Sequence, residues 1–133
     1  MVAVEDFEMK IAGIVVRTLM GLLFIWGSIA FFFHMYPKPE LTGNLKIFNE
    51  GIDASGYLMV LVKSVELICG IAFLSGRFVT LASVVIAPII VNILCVHIFL
   101  DHTGLPVAIF LVLANGFLAY LNRENYKSLF VVK

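Results

Sequence analysis

Residues 78–100 read FVTLASVVIAPIIVNILCVHIFL, twenty-three positions without an Asp, Glu, Lys or Arg. A helix crossing a bilayer needs about 17–25 apolar residues at ~1.5 Å rise each, so this stretch alone is long enough to span. Working outward, three further apolar blocks flank it: Ile11–Phe33, Tyr57–Ser75 and Leu105–Leu121. The connections Gly76–Arg77 and Asp101–Gly104 are so short that consecutive spans must be antiparallel neighbours. The expected fold is therefore all-α, an integral membrane four-helix bundle forming one transmembrane domain over residues 1–133.

Composition agrees. Hydrophobic residues are 62% of the 133, charged residues 14%, and mean hydropathy is +1.06. Counting Gly and omitting Tyr, the apolar share is roughly 67%, on a scale where soluble domains run at about 45–50%. A soluble domain of this length still exposes about a third of its unfolded area. With so few charges that surface would be one large apolar patch. The 9 basic and 9 acidic residues cancel, and no basic run exists to neutralise phosphates, so nucleic acid is set aside as a partner. The first block is not expected to be a secretory signal: Glu5, Asp6 and Glu8 precede it, it exceeds the ~7–15 residues of a signal core, and no small-x-small cleavage site follows.

Lys and Arg set the expected orientation. Lys10, Arg77, Arg123, Lys127 and Lys133 fall on one side, and only Lys38 and Lys46 on the other. This predicts an integral membrane protein with both termini cytoplasmic and residues 34–56 outside. Within that outer connection Leu45, Phe48 and Ile52 recur at spacings of three and four, which predicts a short amphipathic helix over Asn44–Ile52 lying on the membrane surface. Cys69 and Cys95 sit ~9 Å and ~24 Å from the cytoplasmic edge, too far apart in depth for the ~4.4–6.8 Å Cα separation of a disulfide. Both are expected to be packing residues.

The ionisable residues inside the spans are Arg17, Lys63 and Glu66, where a mid-bilayer charge costs about 2.5–3.5 kcal/mol even on the mildest scale. Gly13, Arg17, Gly21, Phe24 and Ser28 share one stripe of the first span, while Lys63, Glu66 and Gly70 share one of the second. Counted from the block edges, Arg17 lies ~10 Å deep and Glu66 ~14 Å. An Arg17–Glu66 ion pair is the predicted match, acting as a structural clamp. Lys63 is expected to approach the same carboxylate or to snorkel outward.

Arg17-x-x-x-Gly21-x-x-Phe24-x-x-Gly27, with Glu66-x-x-x-Gly70 and Gly76-Arg77-Phe78, resembles the two signature stretches of DoxX-like membrane proteins. His97-Ile98-Phe99-Leu100-Asp101, Gly104-Leu105-Pro106 and the terminal Tyr120, Arg123 and Tyr126 resemble one branch of that family. The chain departs from the pattern after Gly27, where Ile29, Ala30 and Phe31 replace an often-present lysine. The resemblance implies a four-helix integral membrane protein, in a family named after a subunit of a quinone-linked sulfur-oxidising enzyme. Fold transfers across such a family better than chemistry does.

A second polar cluster is expected outside: His34 ends the first span, and His97, Asp101 and His102 close the third. His97 and Asp101 stand at i, i+4, a spacing able to bind a divalent metal or pass a proton. Interfacial histidines are commonly neither, and no metal is assigned. Asn92 and Asn115 need partners inside the membrane and are expected to hydrogen-bond across the bundle. Pro88 is expected to kink the third span beside Asn92, where a pocket for a lipid or quinone tail would open. No nucleophile–base pair, phosphate loop, haem pair or thiol pair appears, and no catalytic residue or cofactor is assigned. The favoured function is a non-catalytic subunit or assembly factor contacting another membrane or external protein, or its own copies. The alternatives are a subunit of a quinone-linked oxidoreductase, and an oligomeric small transporter or channel.

Overall fold

A computed structural model describes residues 2–133, with side chains from Val4 onward. The regular elements are α1 (Val2–Phe32), α2 (Gly43–Ser55), α3 (Leu58–Ser75), α4 (Val79–Phe99) and α5 (Leu105–Leu121), with 3-10 turns at His102–Gly104 and Arg123–Phe130. Four helices are long and apolar enough to cross a membrane: Val4–Phe32, Leu58–Ser75, Val79–Phe99 and, with the preceding turn, His102–Leu121. The fold is thus the all-α four-helix membrane bundle that the apolar blocks predict.

Helix α1 begins at Val2, well before the apolar block does at Ile11. Hydropathy marks where lipid contact starts, whereas a helix continues into water when its residues favour it. Glu, Met and Lys are good helix formers, and Glu5 in the first turn suits the positive end of the helix dipole.

The spanning helices pack in a ring, α1 on α3, α3 on α4, α4 on α5 and α5 on α1. Met20, Phe24, Phe73, Ile86 and Leu118 fill its centre with at most 4% exposure each, and Phe24 stacks on Phe73 with ring centroids 6.5 Å apart. The closest approach is between α1 and α3. A Cβ on Gly21 would lie 2.8 Å from the Gly70 carbonyl oxygen and 2.9 Å from the Leu74 nitrogen, and one on Gly70 would meet Ile25. Without side chains at these two positions the backbones touch, the small-residue packing that substitutes in lipid for a hydrophobic driving force. Asn115 Nδ2 donates to the Ser83 carbonyl at 3.1 Å, which ties α5 to α4 as expected of an intramembrane amide.

Helix α2 is longer than the predicted 44–52 segment and half-buries Leu45, Phe48 and Ile52, leaving Lys46 and Glu50 exposed. Ser55 joins it to α3, accepting from the Leu58 amide at 3.0 Å. At the far end of α3, Gly76 adopts φ +76° as a left-handed cap and donates to the Ala72 carbonyl. After α5 the chain folds back: Asn125 Nδ2 donates to Thr80 Oγ1 at 3.0 Å and Tyr126 Oη to the Thr80 carbonyl at 3.2 Å, strapping the C-terminal turn across the start of α4.

Candidate functional site

The ring opens in the half of the bundle away from the termini. There the helices part around a cavity of about 700 Å³, roofed by Phe48, Asn49 and Ile52 of α2. The walls are mostly apolar, from Leu23 and Phe24 on α1, Met59 and Val62 on α3, and Ile93 and Val96 on α4. Pro88 lies in the wall beside Ile89 and Asn92, where its ring removes one donor from the α4 backbone ladder.

Polar groups enter this apolar space at two depths. At the lower level Lys63 Nζ donates to Glu66 Oε2 at 2.9 Å, with side-chain exposures of 20% and 6%. Glu66 lies two turns into α3, ~12 Å from its outer end. Gly27 of α1 faces the pair, since a Cβ there would sit 3.8 Å from the ammonium. Each charge cancels the other, which is what makes their burial tolerable. Asn92, which lines the cavity from α4, makes no hydrogen bond within the described protein and so does not cross the bundle as Asn115 does. Its helix face explains this, because Pro88, Asn92 and Val96 form one i, i+4 row along the cavity.

At the upper level stands His97. Its Nδ1 lies 2.9 Å from the Asp101 carbonyl oxygen, which has only lone pairs to offer, so Nδ1 carries a proton, and in the neutral ring Nε2 is then the acceptor. The imidazole rests directly against Gly104, where any Cβ would overlap the ring. The expected His97–Asp101 side-chain pairing does not form. Asp101 instead caps the following turn, its carboxylate accepting from the Thr103 amide at 3.1 Å and hydroxyl at 2.7 Å. These bonds hold its pKa below the usual carboxylate value. His102 Nε2 contacts the Ile98 carbonyl at 2.8 Å, and His34 stays exposed at the end of α1 with φ +52°. The four outer polar residues thus do not converge, and among the described residues no three His, Cys, Asp or Glu side chains are grouped to hold a metal.

The predicted Arg17–Glu66 pair is also replaced. Arg17 Nη1 donates to the carbonyls of Phe73 at 2.9 Å and Leu74 at 3.3 Å, so the guanidinium caps the C-terminal end of α3. The Gly21–Gly70 contact fixes the register: one turn before Gly21 is Arg17, and one turn beyond Gly70 is Leu74. Glu66, one turn the other way, is ~12 Å from Leu74 along α3 and finds Lys63 instead. Depth counted from the apolar edges failed because the edges are not level: Arg17, well inside the block that starts at Ile11, stands beside Leu74 at the very end of α3. Cys69 is buried and Cys95 exposed, both as free thiols.

No curated protein and no solved structure matches the chain. The sequence profile of the DoxX family matches residues 12–103, more than half of the chain, taking in α1 from Ala12 through α4 and therefore the glycine contact, the Lys63–Glu66 pair and most of the cavity wall. This chain belongs to the DoxX family.

Proposed function

We propose that this DoxX-family protein is a non-catalytic subunit or accessory factor that retains one neutral amphiphile in its outer cavity and holds it for a partner in the membrane. The cavity carries this reading: it is large enough for a lipophilic chain, apolar along its walls, and neutral at its floor because Lys63 and Glu66 cancel. A neutral headgroup with both donors and acceptors suits the ammonium, the carboxylate, the Asn92 amide and the His97 lone pair. A charged one would confront an already satisfied ion pair. We place the protein in a bacterial inner membrane with both termini cytoplasmic, which puts the cavity and the exposed face of α2 towards an external partner or a second copy.

Hydrogen-bonding groups at two depths also favour a second reading, a subunit of a quinone-linked oxidoreductase, because a quinone ring carries oxygens at both ends. The transporter reading loses its motive, since Arg17 does not join Lys63 and Glu66 in one polar path. The test is purification in mild detergent followed by mass spectrometry of extracted lipids. Wild type should carry a neutral amphiphile that Val96→Trp, which fills the cavity, loses without losing its helical content. Identical lipid content in the two would reject cavity occupancy. Quinone in the extract that changes redox state with an added donor would favour the oxidoreductase subunit.

A further inference from the structure

At the end of the bundle where both termini emerge, a second recess of about 620 Å³ lies between α1, the α3–α4 turn and α5. Its rim carries Lys10, Arg17 and Arg123 against one acid, Asp6, and its floor is apolar, with Ile14 and Leu121. Two of the cations are held in place by backbone. Arg17 Nη1 donates to the Phe73 and Leu74 carbonyls, and Arg123 Nη1 donates to the Tyr120 carbonyl at 3.0 Å while its guanidinium lies 4.5 Å over the Tyr120 ring. A guanidinium has five N–H donors. Each therefore keeps Nε and Nη2 without a protein acceptor among the described residues, as does the Lys10 ammonium. The C-terminal ends of α3 and α5 contribute partial negative charge, but their carbonyls are the groups these guanidiniums cap. The rim as a whole is positive, and its free donors are pre-positioned.

We propose that this recess binds the phosphate headgroup of one anionic phospholipid, with an acyl chain running along its apolar floor. The floor decides for a lipid over a free anion: Ile14 is 47% exposed and continues the lipid-facing surface of α1, so a chain attached to the phosphate has an apolar path that a hydrated ion would not use. The site is independent of the outer cavity, at the other end of the helices.

The test is native mass spectrometry of the full chain in neutral detergent with equimolar phosphatidylglycerol and phosphatidylcholine. Phosphatidylglycerol should be retained preferentially. Lys10→Gln with Arg123→Gln should reduce that preference by about fivefold for each cation removed, and both residues are exposed, so folding is not at stake as it is for Arg17. Lys38→Gln with Lys46→Gln, at the opposite end, should leave the preference intact. Millimolar inorganic phosphate should not displace the lipid. Equal retention of the two lipids, an unchanged ratio in the Lys10/Arg123 variant, an equal loss in the Lys38/Lys46 variant, or displacement by phosphate would each overturn the proposal.

Discussion

Lys63 and Glu66 share one hydrogen bond and are largely withdrawn from the surface, so the two charges stand or fall together. Lys63→Leu or Glu66→Leu alone strands the other charge, a loss of about 3–5 kcal/mol for a fully buried pair and less here because Lys63 keeps some exposure. The double variant should melt close to wild type, and thermal unfolding of the three variants in one detergent measures the difference. Arg17→Leu should instead add to Glu66→Leu without coupling, since the guanidinium serves carbonyls ~12 Å along α3 and well-separated sites behave independently. At the upper level Gly104→Ala should push the His97 ring off Asp101, replacing a single Nδ1-protonated tautomer by a mixture, which nitrogen chemical shifts of the imidazole would register. Asp101 itself has a lowered folded pKa, caused first by the Thr103 hydroxyl. Its cap is accordingly complete above the ordinary value of ~3.9 and is lost only as pH falls through the lower folded value. A carboxyl-carbon titration with a midpoint at or above the ordinary value would contradict this.

Among the elements, the α1–α3 contact is the one on which the others depend, because Gly21 and Gly70 set the register that places Arg17 on the end of α3 and Glu66 beside Lys63. A Cβ at Gly21 meets backbone, which has no rotamer to yield. Gly21→Val should therefore cost about 1–3 kcal/mol or more by overpacking, whereas Gly51→Ala on α2, with open space around it, should raise helix stability slightly. Melting temperatures falling on opposite sides of wild type would confirm the contrast. The spans, their antiparallel order, the α2 segment and the Asn115 cross-link were legible in the sequence because periodicity and block length are local properties. The glycine stripes were legible too, and aligning Gly21 with Gly70 would have assigned Arg17 to Leu74. The Arg17–Glu66 expectation failed because it measured depth from the two apolar edges as if they were level, whereas the apolar block of α1 begins beyond the end of α3. The imidazole on Gly104 and the roofing of the cavity by Phe48 and Ile52 were not legible, since each depends on how a connection folds back on its neighbours.

At the scale of the molecule the charges segregate along the bundle axis. Lys10, Arg77, Arg123, Lys127 and Lys133 stand at the end where the termini emerge, and Arg17, level with the end of α3, joins them. The other end offers only Lys38 and Lys46. The positive-inside rule counts Lys and Arg in short loops and near the ends of spans, which is where these cations lie. We expect Asn44→Cys, in α2, to react with a membrane-impermeant maleimide on intact cells, and Lys127→Cys, in the C-terminal turn, to react only after permeabilisation. Both belong in a background with Cys95→Ser, because that thiol faces outward from α4 near its outer end, while buried Cys69 should stay silent in unlabelled controls. The reverse pattern would invert the bundle and carry a functional consequence with it. The amphiphile cavity under α2 would then face the cytoplasm, the cationic recess would face outward, and any partner drawing on the cavity would have to be an intracellular one.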